Sequence, residues 1–331
     1  MSINFQVTGT IFKRNFASYF ANPTGYVFIC AFVLISGFAA FWPHEFFNAN
    51  LANLEQLNKV MPLILLGFIP AITMSLWADE RRQGTDELLL TLPASDLEVV
   101  VGKYLAAVAI FSVSLAFSLT NLIVLELLGN PDLGLAISTY FGYWMLGITM
   151  LAIGMVASFL TDNLTVGFVL GVAFNAPLIF AYSADMIVPD PSTTQTIRNW
   201  SFQAVFRDFT RGVISSSSMV YLLALTATMS YLCMVLIGRR HWQGGEQAGA
   251  RTAHYLVRVV SLFVLAFALT MLFRTHDVVR IDLSSEQLSS LSDQTQKLLD
   301  NLDEDDQVRI EAFISPESAV PESYIPTRID L

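Results

Sequence analysis

Apolar runs of membrane-crossing length recur along this sequence, and they exclude most of what a chain of its size could otherwise become. A helix needs ~17–25 apolar residues to cross a bilayer, and its backbone polar groups must pair within the segment. The runs are Tyr26–Trp42, Val60–Trp77, Tyr104–Leu128, Thr139–Leu160, Leu164–Val188, Ser218–Gly238 and Tyr255–Phe273. Of 331 residues, 54% are hydrophobic and 14% charged, and soluble domains carry charge far more densely. The expected fold class is an all-α polytopic membrane protein: a six-span bundle, a seventh span and a partial α/β extracytoplasmic tail.

One long charged stretch interrupts the first half, ADERRQGTDELLLTLPASDLEVVVGKY, residues 78–104. A hydrophilic hairpin between two spans must face water. Its Arg81, Arg82 and Lys103 predict the cytoplasmic side, where positive loops are retained. The hairpin also carries folding signals. Thr85 can cap a short helix, with Asp86 and Glu87 in its first turn, where the helix dipole favours negative charge. Pro93 stops that helix, and Ser95 with Glu98 forms a capping box that starts the next one. The leucines Leu88, Leu89 and Leu90 are expected to be exposed, as a docking knob for a cytoplasmic partner.

The remaining segments follow from period and charge. Residues 1–25 are read as an interfacial amphipathic helix, with Phe12, Phe16, Tyr19 and Phe20 at helical spacing beside Lys13 and Arg14. Residues 26–238 form the six-span domain with its cytoplasmic hairpin 78–103. Residues 239–254 are a cytoplasmic linker, 255–273 the seventh span, and 274–331 the start of an extracytoplasmic domain expected to be incomplete. Pro62 and Pro70 predict kinks in the second span. Segment 189–217 carries an apolar stripe, Trp200, Phe202, Val205, Phe206 and Phe209, expected to lie on the outer interface. In the tail, LSDQTQKLLDNLD reads as a helix capped by Ser292, and Val308–Ile314 alternates like a strand. Basic residues Lys13, Arg14, Arg81, Arg82, Lys103, Arg239, Arg240, Arg251 and Arg258 fall on the predicted inside, against Lys59, Arg198, Arg207 and Arg211 outside. The N-terminus is therefore expected inside and the tail outside.

Charge and motif content narrow the function. Residues 275–331 carry 13 acidic and 4 basic residues, so most of the net charge of −10 belongs to the tail. Neither part offers a basic surface, which argues against nucleic acid. No signal peptide is evident, and the first apolar run reads as a retained anchor. Cys30 and Cys233 lie in apolar runs and read as buried small hydrophobes. No P-loop and no Gly-x-Ser-x-Gly elbow occurs, and His44, His241, His254 and His276 are scattered. No catalytic, cofactor or metal residue is expected, and the chain is not read as an enzyme.

Within the spans, Glu126 and Asp185 sit near span ends, where snorkelling to the interface accounts for them. Asn121 and Asn175 lie mid-span and predict interhelical hydrogen bonds. Gly167-x-x-x-Gly171, with Gly147 and Gly154 on the preceding span, predicts close helix packing.

The hairpin, ADERRQGTDELLLTLPASDLEVVVGKYLA, resembles the first cytoplasmic loop of type-2 ABC transporter permeases. The upstream KRNFASYFANPTGYVFICAFVLISGFAAFW is similar to the N-terminus of the gliding-motility-associated (GldF-like) permeases of that family. The tail, IDLSSEQLSSLSDQTQKLLDNLDEDDQVRIEAFISPESAVPESY, resembles the start of their companion (GldG-like) auxiliary protein. The resemblance covers nearly the whole chain and implies a fusion of the two, with the seventh span as the auxiliary protein's anchor. It implies a six-span permease that pairs with a second permease copy, as homodimer or heterodimer, and with two cytoplasmic ABC ATPase subunits. It places the protein in the bacterial cytoplasmic (inner) membrane, surrounded by lipid, with an auxiliary extracytoplasmic domain. By the same resemblance Thr85–Leu92 is the coupling helix seated in the ATPase. Glu80, Arg81 and Arg82 brace it, Glu87, Leu88 and Leu89 make the contact, and Gly84, Thr85 and Pro93 bound it.

Two readings of different class remain. In one, ATP-driven closure of the partner ATPases pushes on the hairpin, and the spans rearrange to export a substrate. In the other, the spans and hairpin anchor a cell-envelope complex without transport. The scarcity of polar residues along the spans favours a lipid-like substrate or no substrate path.

Overall fold

The computed structural model describes residues 4–42, 44–49, 51–85, 94–241, 248–275 and 279–285, with a few isolated positions beyond. The chain divides into residues 1–289 and 290–331, and the helical bundle lies in the first unit. The expected tail helix and the strand Val308–Ile314 fall outside the described residues.

Helix α1, Phe5–Ala21, starts where Asn4 Oδ1 accepts from the Gln6 amide at 3.1 Å. It ends at Asn22 because Pro23 follows, and Pro23 opens α2, Pro23–Phe41. The two helices meet at 76°. The corner depends on Gly25, where a Cβ would lie 2.7 Å from the Tyr19 carbonyl oxygen. Among the described residues six further segments are long and apolar enough to cross a membrane, and α1 with α2 meets that test only as a bent pair. The fold is thus all-α and polytopic, as the apolar runs predict.

Short α3, His44–Ala49, leads to α4, Glu55–Arg82, which contains Pro62 and Pro70. After the hairpin come α5, Asp96–Ser118, and α6, Thr120–Leu128. The helix of the third apolar run starts at the Ser95 capping box, as the spacing predicts, but it is interrupted at Leu119 instead of continuing unbroken to Leu128. The interruption has a cause. Tyr140 Oη donates to the Ser118 carbonyl at 2.8 Å, while the Leu122 amide turns to Leu119 instead.

Helix α7, Leu133–Phe159, is the axis of the bundle, with 89% of its apolar window buried. Asp132 caps it, accepting from the Leu135 amide at 3.1 Å. Because lipid is as apolar as a leucine side chain, close packing rather than water exclusion holds such helices together. Glycines provide the approach. A Cβ on Gly147 would run into the Phe111 ring of α5, and one on Gly154 into Thr73 of α4. Gly171 of α8, Leu164–Phe180, meets Pro70.

A 3₁₀ turn, Ala181–Met186, leads to α9, Pro191–Asn199, and α10, Phe202–Thr210. The stripe of α10 does not lie on the outer interface. Phe202, Val205, Phe206 and Phe209 are buried, with Phe206 stacked on Tyr143 of α7 at 5.4 Å. Gly142 makes room for Phe209 against α7. Amphipathicity fixes which face is covered and is silent on whether lipid or protein covers it.

Strand β1, Val213–Ser215, precedes α11, Ser216–His241. Helix α12, Ala248–Thr275, is the least enclosed span, with 11% of its window buried. Beyond it, β2, Arg280–Asp282, returns to pair antiparallel with β1, Val213 opposite Asp282 and Ser215 opposite Arg280. Asn121 donates to Ser36 of α2 at 3.2 Å, an interhelical bond. Asn175 departs from expectation and donates to Gly171 of its own helix at 2.8 Å. Cys233 is buried, whereas Cys30 faces outward and is not a core residue.

Candidate functional site

The polar side chains that could do work gather at the hairpin end of the bundle, where α4 finishes and α5 begins. Glu80, in the last turn of α4, holds two cations. Its Oε1 lies 2.7 Å from the Arg14 guanidinium of α1, and its Oε2 lies 2.7 Å from Lys103 Nζ of α5. Arg14 is half exposed, while the Lys103 side chain is wholly buried. An ammonium has three N–H donors and costs several kcal/mol to bury unpaired. Lys103 places its charge against Glu80, donates to the Leu76 carbonyl, and sits 4.5 Å from the Trp77 ring centroid. All three partners lie within one turn of α4.

That turn is fixed from the other side by α7. Ser158 Oγ accepts from the Trp77 amide at 3.1 Å and donates to the Met74 carbonyl at 3.0 Å. Trp77 packs edge-on to Phe159 at 5.3 Å. Arg81 lies over the same Phe159 ring at 4.9 Å and donates to the Phe159 carbonyl. Arg82 pairs with Asp79 one turn back at 2.9 Å. Thus Glu80 and Arg81 reach different helices, and Arg82 stays on its own.

Gly84 and Thr85 terminate α4. The Thr85 amide donates to the Glu80 carbonyl at 3.0 Å and the Gly84 amide to the Arg81 carbonyl at 3.1 Å. With Gly84 at φ +67° this is a Schellman closure, which only glycine adopts without strain. Glu87, Leu88, Leu89 and Pro93 lie outside the described residues. On the return leg the Ser95–Glu98 capping box forms as the spacing predicts. Glu98 does more than close it: its Oε1 also accepts the Asn4 amide at 2.7 Å, at the start of α1. Both legs of the hairpin are therefore tied to α1, one through Glu80–Arg14 and one through Glu98–Asn4.

Lys103 is the residue that sequence reasoning placed wrongly. The hairpin's charge pattern groups it with Arg81 and Arg82 among water-facing cations, and it is buried instead. The available signal is its neighbourhood, a lone charge in VVVGKYLAAV beyond a capped helix start. A charge in that setting needs a partner. Among the described residues no cluster could hold a metal ion.

At the opposite end, Asp132 accepts the Ser285 amide at 2.8 Å as well as that of Leu135. Burial alone would raise its carboxyl, and these backbone bonds outweigh burial and hold it below the usual carboxylate range.

A bundle of membrane-crossing helices with a closely packed interior and a charged network at one end defines a multi-pass membrane protein. The chain belongs to the ABC-2 family transporter proteins, whose family model matches residues 56–238, more than half its length. It is on that ground an ABC transporter permease. No curated protein and no solved structure matches it.

Proposed function

We propose that this permease couples ATP hydrolysis on a separate cytoplasmic ATPase to export, with segment 78–103 as the coupling hairpin. The observation that carries the reading is the Arg14–Glu80–Lys103 network. A push on the hairpin displaces the end of α4, and these ion pairs pass that displacement to α1 and α5 together. Rigid, multiply bonded elements move as units rather than deform. Glu80, Arg81, Arg82, Gly84 and Thr85 set the exit angle of the hairpin, and Glu87, Leu88, Leu89 and Pro93 make or bound the contact.

The finer identity is a GldF-like permease fused to the start of a GldG-like auxiliary domain, in the inner membrane with the N-terminus inside. It works as a dimer with a second permease copy. Support comes from the quoted sequence resemblance and from the end of the family match at residue 238, ahead of the α12 span.

Co-purification from membranes tests the proposal, wild type beside Glu87→Arg/Leu89→Asp. An ATPase subunit should accompany the wild type and be lost from the double variant. Absence of an ATPase from both samples would remove the coupling reading and leave the anchoring one.

A further inference from the structure

A cavity of about 590 Å³ opens at the end of the bundle remote from the hairpin. It lies between the start of α4, the end of α6, the start of α7 and α10. Its floor is apolar, made by Leu54, Leu125, Leu135, Ala136 and Phe206. Its rim is polar, and the hydrogen bonds within the rim give it a definite polarity.

Asn53 Oδ1 accepts the Glu55 amide, and Asn58 Oδ1 accepts the Tyr143 hydroxyl. Both carboxamides thus spend their acceptor on the protein and keep their NH₂ donors for the cavity. Both carboxylates on the rim are engaged by the protein, Glu55 neutralised by a lysine and Asp132 still anionic but bonded to backbone donors. Glu55 pairs with Lys59 at 2.9 Å, and Asp132 receives the Leu135 and Ser285 amides. Arg207 lines the same rim and has no carboxylate within ion-pair distance among the described residues. Asn130 and Gln203 complete it with carboxamides that can turn either way. An apolar floor below a rim of surplus donors and one unmatched guanidinium is complementary to a molecule with an apolar tail and an anionic, acceptor-rich head.

We propose that this cavity binds an anionic amphiphile, its acyl chain on Leu54, Leu125, Leu135 and Phe206 and its phosphate or carboxylate on Arg207, Asn53 and Asn58. The inference concerns binding alone and stands whether or not an ATPase drives the protein.

The test uses the full chain in maltoside micelles, without ATPase, and three diazirine-tipped probes of equal chain length: a lysophosphatidate, a fatty acid and a monoacylglycerol. Photolabelled sites are mapped by peptide mass spectrometry. The anionic probes should label the floor residues at least ~fivefold more than the monoacylglycerol, the ratio expected for about 1 kcal/mol from one exposed charge. Arg207→Gln should abolish that preference. Arg211→Gln, an exposed arginine outside the cavity, should leave it intact. Preference for the lysophosphatidate alone assigns a phosphate head, and equal labelling by the fatty acid assigns any anionic head. Labelling by the monoacylglycerol as strong as by the anions, or a preference that survives Arg207→Gln, overturns the proposal.

Discussion

Lys103 Nζ lies 2.7 Å from Glu80 Oε2 with the lysine side chain wholly buried, while Glu80 keeps a second cation, Arg14, on its other oxygen. The two partners are therefore not equivalent. Removing the glutamate strands a buried ammonium, whereas removing the lysine leaves a carboxylate still paired with Arg14. Breaking a buried pair from the side that leaves an uncompensated charge costs ~3–5 kcal/mol. Glu80→Gln should therefore lower thermal stability in micelles much more than Lys103→Met. The double variant should recover most of the loss. Equal losses from the two single changes would show that the ammonium finds compensation elsewhere.

The glycine contacts of α7 give a second prediction. A Cβ on Gly147 would lie 2.1 Å from the Phe111 ring. Phe111 is itself wholly buried against α2, its ring 6.4 Å from that of Phe32, so it has little room to withdraw. Overpacking of this kind costs ~1–3 kcal/mol. Gly147→Ala should be destabilising by that order, and Gly147→Ala with Phe111→Leu should be milder than the single change. Gly67→Ala, with nothing within 4 Å of the added carbon, is the control and should be near neutral. Fluorescence-detected thermal melting of the three purified variants measures this.

These positions also mark how far the sequence could be read. Span-length apolar runs, the Ser95–Glu98 box and the prolines of α4 are local signals, and local signals determine helix existence and helix starts. Lys103 and Glu80 are 23 positions apart across the hairpin, and their pairing depends on how two helices pack. Nothing in the spacing distinguishes a lysine that faces water from one that faces a glutamate on another helix. The α10 stripe failed for the same reason. Phe202, Val205, Phe206 and Phe209 define a face, and only the groove at Gly142 says that α7 covers it. Asn121 met its interhelical partner in Ser36, while Asn175 satisfied itself within its own turn. One residue type in one setting thus has two outcomes that differ only in the neighbour available.

Gly84 provides a third prediction, about the hairpin itself. Its φ of +67° closes α4 and sets the direction in which the chain leaves toward the proposed contact. Gly84→Ala forces an ordinary side chain into the left-handed region, at a cost of ~1 kcal/mol, with Asn the better tolerated replacement. Global stability should change little. On the coupling reading, ATPase turnover in the assembled complex should fall with Gly84→Ala and recover in part with Gly84→Asn, while the amount of ATPase bound stays the same. A fall in bound ATPase without a change in turnover per subunit would assign Gly84 to docking rather than transmission.

The last prediction concerns the strap that follows α12. Leu283 donates its amide to the Gly212 carbonyl, and the Val279 carbonyl accepts from Ser216 at 2.9 Å. Ser285 donates to Asp132, the cap of α7 and a rim residue of the far-end cavity. The strap passes so close to α7 that a Cβ on Gly134 would fall 1.6 Å from the Leu283 carbonyl oxygen. No rotamer change relieves a clash with backbone, so Gly134→Ala must displace the strap or shift the start of α7. The strap has a few hydrogen bonds and a two-stranded ladder, and α7 is the buried axis of the bundle. Local opening takes the weaker element first. Gly134→Ala should therefore raise amide exchange in the peptide covering residues 279–285 with little change in α7. Asp132→Ala, which removes the acceptor for Ser285 and the cap of α7 together, should raise exchange in both. If Gly134→Ala raised exchange along α7 and spared the strap, the strap would have to be the more strongly held of the two.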